Sequence, residues 1–390
     1  MLPAILLWLV SAFLLYFLLK RFILEQFYID YVDKYVFITG CDSGFGRLLA
    51  IRLLTMNVNV FAGCYTEMGC ESLLKDWRRL GSGRLYTVRI DITNDESVMK
   101  AREKIERILS KENAHLHGIV NNAGVFTIFG PDDWCSTEEY MASLNVNTLG
   151  AVRVCHNFVP LIKKCKGRVV TMGSTAGRLH GLYVGPYVTA KFAVEAYMDC
   201  LRLEMRPFEV SVHILEPGAF KTELLSEEAL HARVNKIWEK LSLTTKNEYG
   251  EQFKENFKIA WQTGVNIVAN TNLQWVVDSY VHALFACWPR MRYAAGWDAI
   301  FCFIPLSLLP TWIQDSVLHF MYSMQPGPPL HPASLHNDEK PTTSRTFPSL
   351  FGKAGHFSIL SIVFVAFYIR SFFLYATARV TPVNATVSTE

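Results

Sequence analysis

The chain lacks any strong excess of one charge. Its 38 Lys+Arg stand against 35 Asp+Glu over 390 residues, too small a surplus to argue for a nucleic-acid partner. Charge is scarce altogether at 19%, while apolar residues reach 51% and aromatics 13%. That composition excludes a disordered chain. There is no Cys-x-x-Cys pair, and the nine cysteines show no Cys/His spacing suited to zinc. They read as scattered reduced thiols, and no metal site is expected. No internal repeat is visible.

The apolar residues cluster at the two ends. Leu2 to Leu19 carries no charge and is closed by Lys20 and Arg21, about the shortest run that spans a bilayer. It has no charged start and no small-x-small cleavage site, so 1–21 reads as an uncleaved transmembrane anchor. A second apolar run, 357–378, is interrupted by Arg370 and reads as a C-terminal membrane segment, either spanning or interfacial. Lys20, Arg21, Arg345 and Lys353 flank the middle of the chain, which places that middle on the cytosolic side. Region 299–324 is apolar but holds Pro305, Pro310 and Asp315. It suits a surface dipping into lipid or the wall of an apolar pocket rather than a straight span. Region 325–356 holds six of the sixteen prolines and reads as a flexible linker. Asn384-Ala385-Thr386 fits a glycosylation acceptor.

Between the ends, strand and helix signals alternate. Tyr35–Thr39, Asn57–Gly63, Arg84–Ile90, His117–Asn121, Arg168–Gly173 and Val210–Glu216 are short β-branched runs. Arg47–Thr55, Glu67–Arg79, Asp95–Ser110, Thr137–Lys164 and Tyr187–Met205 read as helices between them. The alternation predicts an α/β fold over about 30–300, a doubly wound parallel sheet with helices on both faces. Ligands of such sheets sit at the carboxyl ends of the strands, near the switch point.

Chemistry-bearing residues fall at those ends. The first strand runs into Thr39-Gly40-Cys41-Asp42-Ser43-Gly44-Phe45-Gly46 and then a helix. Glycines let backbone approach a diphosphate, and a helix N-terminus offers free N–H groups. Taken alone, a plain tight turn would read the same way. Asp91 ends the third strand, where a carboxylate can accept from an adenine amino group or simply cap a helix. Asn121-Asn122-Ala123-Gly124 closes the fourth strand with small residues and amides. Ser174 follows the fifth. Tyr187 and Lys191 stand four apart, on one helix face. A phenol is a weak base at neutral pH, and a neighbouring ammonium is expected to lower its pKa. Asn147 is placed to disrupt its helix and hold a water behind Lys191.

That ordered set resembles the short-chain dehydrogenase/reductase family over about 34–296, and implies its Rossmann-like fold. The resemblance implies a nicotinamide cofactor, Tyr187 as acid/base, Ser174 orienting substrate, Lys191 on the nicotinamide ribose and Asn147 in a proton relay. Cofactor contacts are expected from Thr39, Gly40, Ser43, Gly44, Phe45, Gly46, Thr66, Asp91, Asn121, Ala123, Gly124, Tyr187, Lys191, Pro217, Gly218 and Thr222. Ile237-Trp238, Tyr249-Gly250-Glu251 and Pro289-Arg290-Met291-Arg292-Tyr293 through Ala299 look like the membrane-bound retinol and hydroxysteroid dehydrogenase branch. Endoplasmic reticulum is the location that branch implies, and a homodimer is an expected assembly.

Ser43 precedes the middle glycine of the turn, and no base follows the second strand before Lys75. This favours NAD, with Arg47 keeping NADP open. The substrate wall is expected from 220–269 and Leu179–Tyr183, with His180 and Tyr183 as candidate contacts. A lipophilic alcohol is the expected substrate. An NADP-dependent reductase of a lipid ketone and a silent dinucleotide- or lipid-binding protein are the alternatives.

Overall fold

The computed structural model describes residues 2–77, 83–127, 129–323 and 327–336. Side chains are described from Trp8 onward. In chain order the elements are α1 (Leu2–Phe22), β1 (Tyr35–Thr39), α2 (Gly44–Thr55), β2 (Asn59–Cys64), α3 (Glu67–Trp77), β3 (Leu85–Arg89), α4 (Asp95–Lys111), β4 (Leu116–Asn121), α5 (Thr137–Leu144), α6 (Gly150–Lys163), β5 (Arg168–Met172), α7 (Gly185–Glu204), β6 (Ser211–Pro217), α8 (Glu227–Lys240), α9 (Leu243–Tyr249), α10 (Glu251–Val268), α11 (Gln274–Phe285), β7 (Arg292–Ala295), α12 (Ile304–Ser307) and α13 (Thr311–Ser323).

The seven strands form one sheet in the order β3-β2-β1-β4-β5-β6-β7, and every pairing is parallel. Strands buried on both faces need no polar alternation, which is why they read as continuous apolar runs. One core packs Val98 and Ile105 of α4, Phe158 of α6 and Val194 of α7 onto the sheet. The other packs Leu49 and Leu53 of α2 with Tyr280 and Leu284 of α11. The order reverses between β1 and β4, so a crevice opens at their carboxyl ends.

The structure differs from the sequence reading in three places. The helix expected over Thr137–Lys164 is broken by a π-helical segment at Asn145–Leu149. The seventh strand, Arg292–Ala295, had no apolar run to announce it. Region 299–324 folds as a π turn at Ala299–Phe303 followed by α12 and α13. Among the described residues, no helix is long and apolar enough to cross a membrane. Segments 337–356 and 357–378, and Asn384, lie outside the described residues.

A third core stands apart from the sheet. Phe126, Phe129, Trp134, Leu230, Trp238, Phe253 and Phe257 pack together under α8 and α10. Its aromatic rings meet mostly edge-on or tilted, as Trp134 does on Trp238 at 5.2 Å. This layer roofs the crevice at the carboxyl side of the sheet.

Candidate active site

The crevice begins with the turn after β1. Gly40 and Gly44 take φ of +71° and +59°, a left-handed backbone that favours glycine. A Cβ on Gly46 would lie 2.3 Å from the Gly40 carbonyl oxygen and 2.4 Å from Asn122 Nδ2, so the turn closes only around glycine. Asn122 Nδ2 donates to the carbonyls of Thr39 and Gly40, both at 3.0 Å. Thr39 Oγ1 accepts from the N–H groups of Asn122 and Ala123, both at 3.1 Å. These bonds lock the ends of β1 and β4 at the switch point. Ser43 caps α2 without a side-chain bond to its N–H groups, which leaves them for an anionic ligand.

Asp42 sits at the far end of this turn. Its carboxylate accepts from Tyr65 N at 2.8 Å, Thr66 N at 2.9 Å and Thr66 Oγ1 at 2.7 Å. Arg47 turns outward to Ser72 Oγ at 2.8 Å and Asp76 Oδ2 at 2.6 Å. Asp91 Oδ1 accepts from Thr93 N at 2.9 Å and Thr93 Oγ1 at 2.7 Å.

A cavity of about 1720 Å³ runs from this polar end into the aromatic layer. Its wall includes Gly40, Ser43, Gly44, Phe45, Thr66, Asp91, Ala123, Gly124, Asn147, Ser174, Tyr187, Lys191, Pro217, Gly218 and Thr222. Three expected contacts are placed elsewhere. Thr39 is buried in its hydrogen bonds, and Gly46 packs against Gly40. Asn121 points into the protein, donating to Thr171 Oγ1 at 3.1 Å and Cys155 Sγ at 3.2 Å. Its neighbour Asn122 lines the cavity instead. Adjacent strand residues face opposite sides, so only the register distinguishes the two asparagines.

The reactive groups meet where the polar and apolar halves join. Ser174 follows β5 and caps a short helical turn, its Oγ accepting from Ala176 N at 3.1 Å. Its side chain also favours the ionised form of the Tyr187 phenol on α7. Lys191, one turn further along α7, donates from Nζ to the Met172 carbonyl at 2.8 Å and lies 5.7 Å from the Tyr187 ring centroid. Asn147 sits in the π segment, and its amide makes two 2.9 Å bonds with the backbone of Val125. A Cβ on Gly124 would be 2.9 Å from Asn147 Oδ1 and 3.9 Å from Lys191 Nζ, so both side chains flank that glycine.

The electrostatics reverse one expectation. Burial pushes the Tyr187 phenol up to about 12, and the Ser174 side chain is what opposes it. Burial also pulls the Lys191 ammonium down to about 8, against the favourable charge of Glu195. Burial thus outweighs any acidifying effect of the ammonium on the phenol. Glu195, one turn beyond Lys191, belongs to a buried ion cluster that sequence spacing did not reveal. Arg292 of β7 binds Glu195, Asp199 and Glu216, and Arg178 binds Glu216 at 2.9 Å.

The remaining wall is greasy. Phe126 meets Tyr187 edge-on at 5.0 Å. Trp261 and Val265 of α10, Leu306 of α12 and Tyr322 of α13 continue it. His180 and Tyr183, the expected substrate contacts, are outside this wall: His180 pairs with Asp315 at 2.8 Å, and Tyr183 packs on Phe257 at 5.2 Å. Region 299–324 thus supplies a pocket wall, one of its two expected roles.

Comparison with known proteins fits this arrangement. The sequence profile described as short chain dehydrogenase matches residues 34–232. The chain is 58% identical over 358 residues to 3beta-hydroxysteroid dehydrogenase dhs-16 of Caenorhabditis elegans, covering 91% of this chain and 92% of that protein. It is 43% identical to Retinol dehydrogenase 7 of Rattus norvegicus, over 74% of this chain and 88% of the relative. It is 41% identical to rat 17-beta-hydroxysteroid dehydrogenase type 6, over 80% and 96% of the two chains. A short chain dehydrogenase/reductase from Burkholderia phymatum, solved in complex with NAD, shares the fold at a TM-score of 0.56 and 20% identity, over 71% of this chain and 94% of its own. The chain belongs to the short chain dehydrogenase family, in its retinol and hydroxysteroid dehydrogenase branch, and is an alcohol oxidoreductase.

Proposed function

We propose that the protein oxidises a lipophilic secondary or allylic alcohol, a hydroxysteroid or a retinol, with NAD. The observation that carries this reading is that Tyr187, Ser174 and Lys191 line one large, mostly apolar cavity. A bound nicotinamide dinucleotide supplies the hydride acceptor. Tyr187, in its phenolate form, takes the hydroxyl proton as the carbinol C–H bond breaks with its electron pair, leaving the carbonyl product and a neutral phenol. Ser174 holds the substrate oxygen beside the phenol. Lys191 faces the ribose side, and Asn147 fixes the Gly124 edge and connects to a proton path. Positioning contributes most, because reacting atoms must meet at near-contact distance.

Asp42 supports NAD over NADP. Its carboxylate stands at the adenosine end of the cavity wall, where it would repel a ribose phosphate. Arg47, the cation that kept NADP open, is engaged by Asp76.

Membrane attachment is part of the proposal. Trp8, Phe13 and Phe22 of α1 are 69–70% exposed. Leu308, just after α12, and Trp312 of α13 are 72% and 53% exposed. We place the protein on the endoplasmic reticulum, with the catalytic unit at about 30–300 facing the cytosol, and read it as a homodimer. The test is a screen of membranes holding the full chain against retinols and hydroxysteroids with each cofactor. Oxidation of at least one class with NAD, at higher kcat/KM than with NADP, is the expected result. Preference for NADP and the reverse reaction would overturn the cofactor and direction together.

A further inference from the structure

Arg233 of α8 is a cation in the apolar half of the cavity wall. Its guanidinium lies 5.8 Å above the Phe126 ring, and Phe126 in turn meets Tyr187 at 5.0 Å. The charge is therefore one aromatic ring away from the reacting phenol. A guanidinium carries five N–H donors, yet the structure gives Arg233 one hydrogen bond, from Nη1 to the Leu224 carbonyl at 2.8 Å. Among the described residues no carboxylate forms an ion pair with it, although Glu223 lines the same cavity. Burial alone pulls its pKa down, with no anion answering it. The ring face of Phe126 compensates only weakly for the lost water. Leu224, Leu225 and Trp261 complete its surroundings in the cavity wall.

A partly buried cation with free donors stabilises a ligand that brings an oxygen anion. We infer that Arg233 is a specificity-determining residue, and that the preferred substrate is a lipophilic alcohol bearing a carboxylate that docks on this guanidinium while its hydroxyl reaches Tyr187. The inference rests on the dehydrogenase reading of the site and narrows it to amphiphilic hydroxy acids. The ring spacing requires the acid near the carbinol, at about the width of a compact ring system rather than the end of a long chain.

The test compares a hydroxysteroid whose carboxylic acid is attached directly to the ring system with its methyl ester on the full membrane-bound chain. Two readouts are taken: kcat/KM with NAD, and binding measured by quenching of tryptophan fluorescence. A charge-assisted hydrogen bond predicts about a tenfold to hundredfold preference for the acid in both. Arg233→Met should bring the acid-to-ester ratio to about one, and Arg233→Lys should retain part of the preference. Equal handling of acid and ester by the native protein, or a preference that survives in Arg233→Met, overturns the inference. So does a change confined to the KM for NAD, which would assign the cation to the cofactor's diphosphate. Tight, acid-selective binding without turnover would uphold the inference and reject the dehydrogenase reading instead.

Discussion

The two halves of the cavity are built by different rules. At the dinucleotide end, nearly every polar group has a fixed partner: Asn122 holds Thr39 and Gly40, and Asp42 holds Tyr65 and Thr66. Glycine identity there is set by hard contacts, such as the 2.3 Å approach at Gly46. At the substrate end the wall is a set of rings and branched chains from α10, α12 and α13, with Arg233 of α8 as its cation. Such a wall requires apolar volume but tolerates exchange among apolar residues. The first half is therefore rigid in sequence, while the second is where substrate choice can vary.

Substitutions can break or sharpen that contrast. Ser174→Ala, at the seam, removes the hydroxyl that holds the phenol pKa down. It should cut kcat/KM at least about a hundredfold and move the acid limb of the oxidation profile to higher pH, because less phenolate then forms at a given pH. A limb that stays in place would disconnect Ser174 from the phenol. Gly46→Ala drives a Cβ into the Gly40 carbonyl and Asn122. An increase of about thirtyfold in the KM for NAD is expected, with a lower melting temperature from about 1–3 kcal/mol of overpacking. Unchanged cofactor affinity would mean the turn is not the dinucleotide cradle.

Trp261→Ala, on the greasy side, should raise substrate KM about tenfold by losing buried contact area, and leave the KM for NAD nearly as it was. Equal damage to both constants would erase the distinction between the halves. Asp42→Asn is the mildest change. It should shift the NAD-to-NADP ratio of kcat/KM toward NADP by about three- to tenfold, and a ratio that does not move would remove Asp42 from cofactor choice.

The contrast also explains what the sequence made legible. The six strands read from β-branched runs all form, and Gly40, Gly44, Ser174, Tyr187 and Lys191 meet at one cavity. These positions depend on local backbone and on strand ends, which a linear pattern encodes. β7 escaped because Arg292-Tyr293-Ala294-Ala295 is short and half polar, and its pairing with β6 is a tertiary matter. The helix disruption expected at Asn147 is present as a π segment over Asn145–Leu149, whose form the amphipathic stretch around it did not reveal. Asn121 and Asn122 were exchanged in role because only strand register tells them apart. The phenol's high pKa was misjudged because spacing reveals the ammonium but not the burial around it. The Glu195–Arg292 pair joins residues far apart in sequence, and no spacing rule reaches that far.

The account turns on Tyr187 as the proton acceptor in alcohol oxidation. Its most direct test is the Tyr187→Phe variant, assayed for single-turnover NADH formation and for NAD binding by fluorescence. The account predicts NADH formation slowed by about a thousandfold or more, with the NAD dissociation constant within about threefold of the native value. A Tyr187→Phe protein that forms NADH at a rate near the native one contradicts it.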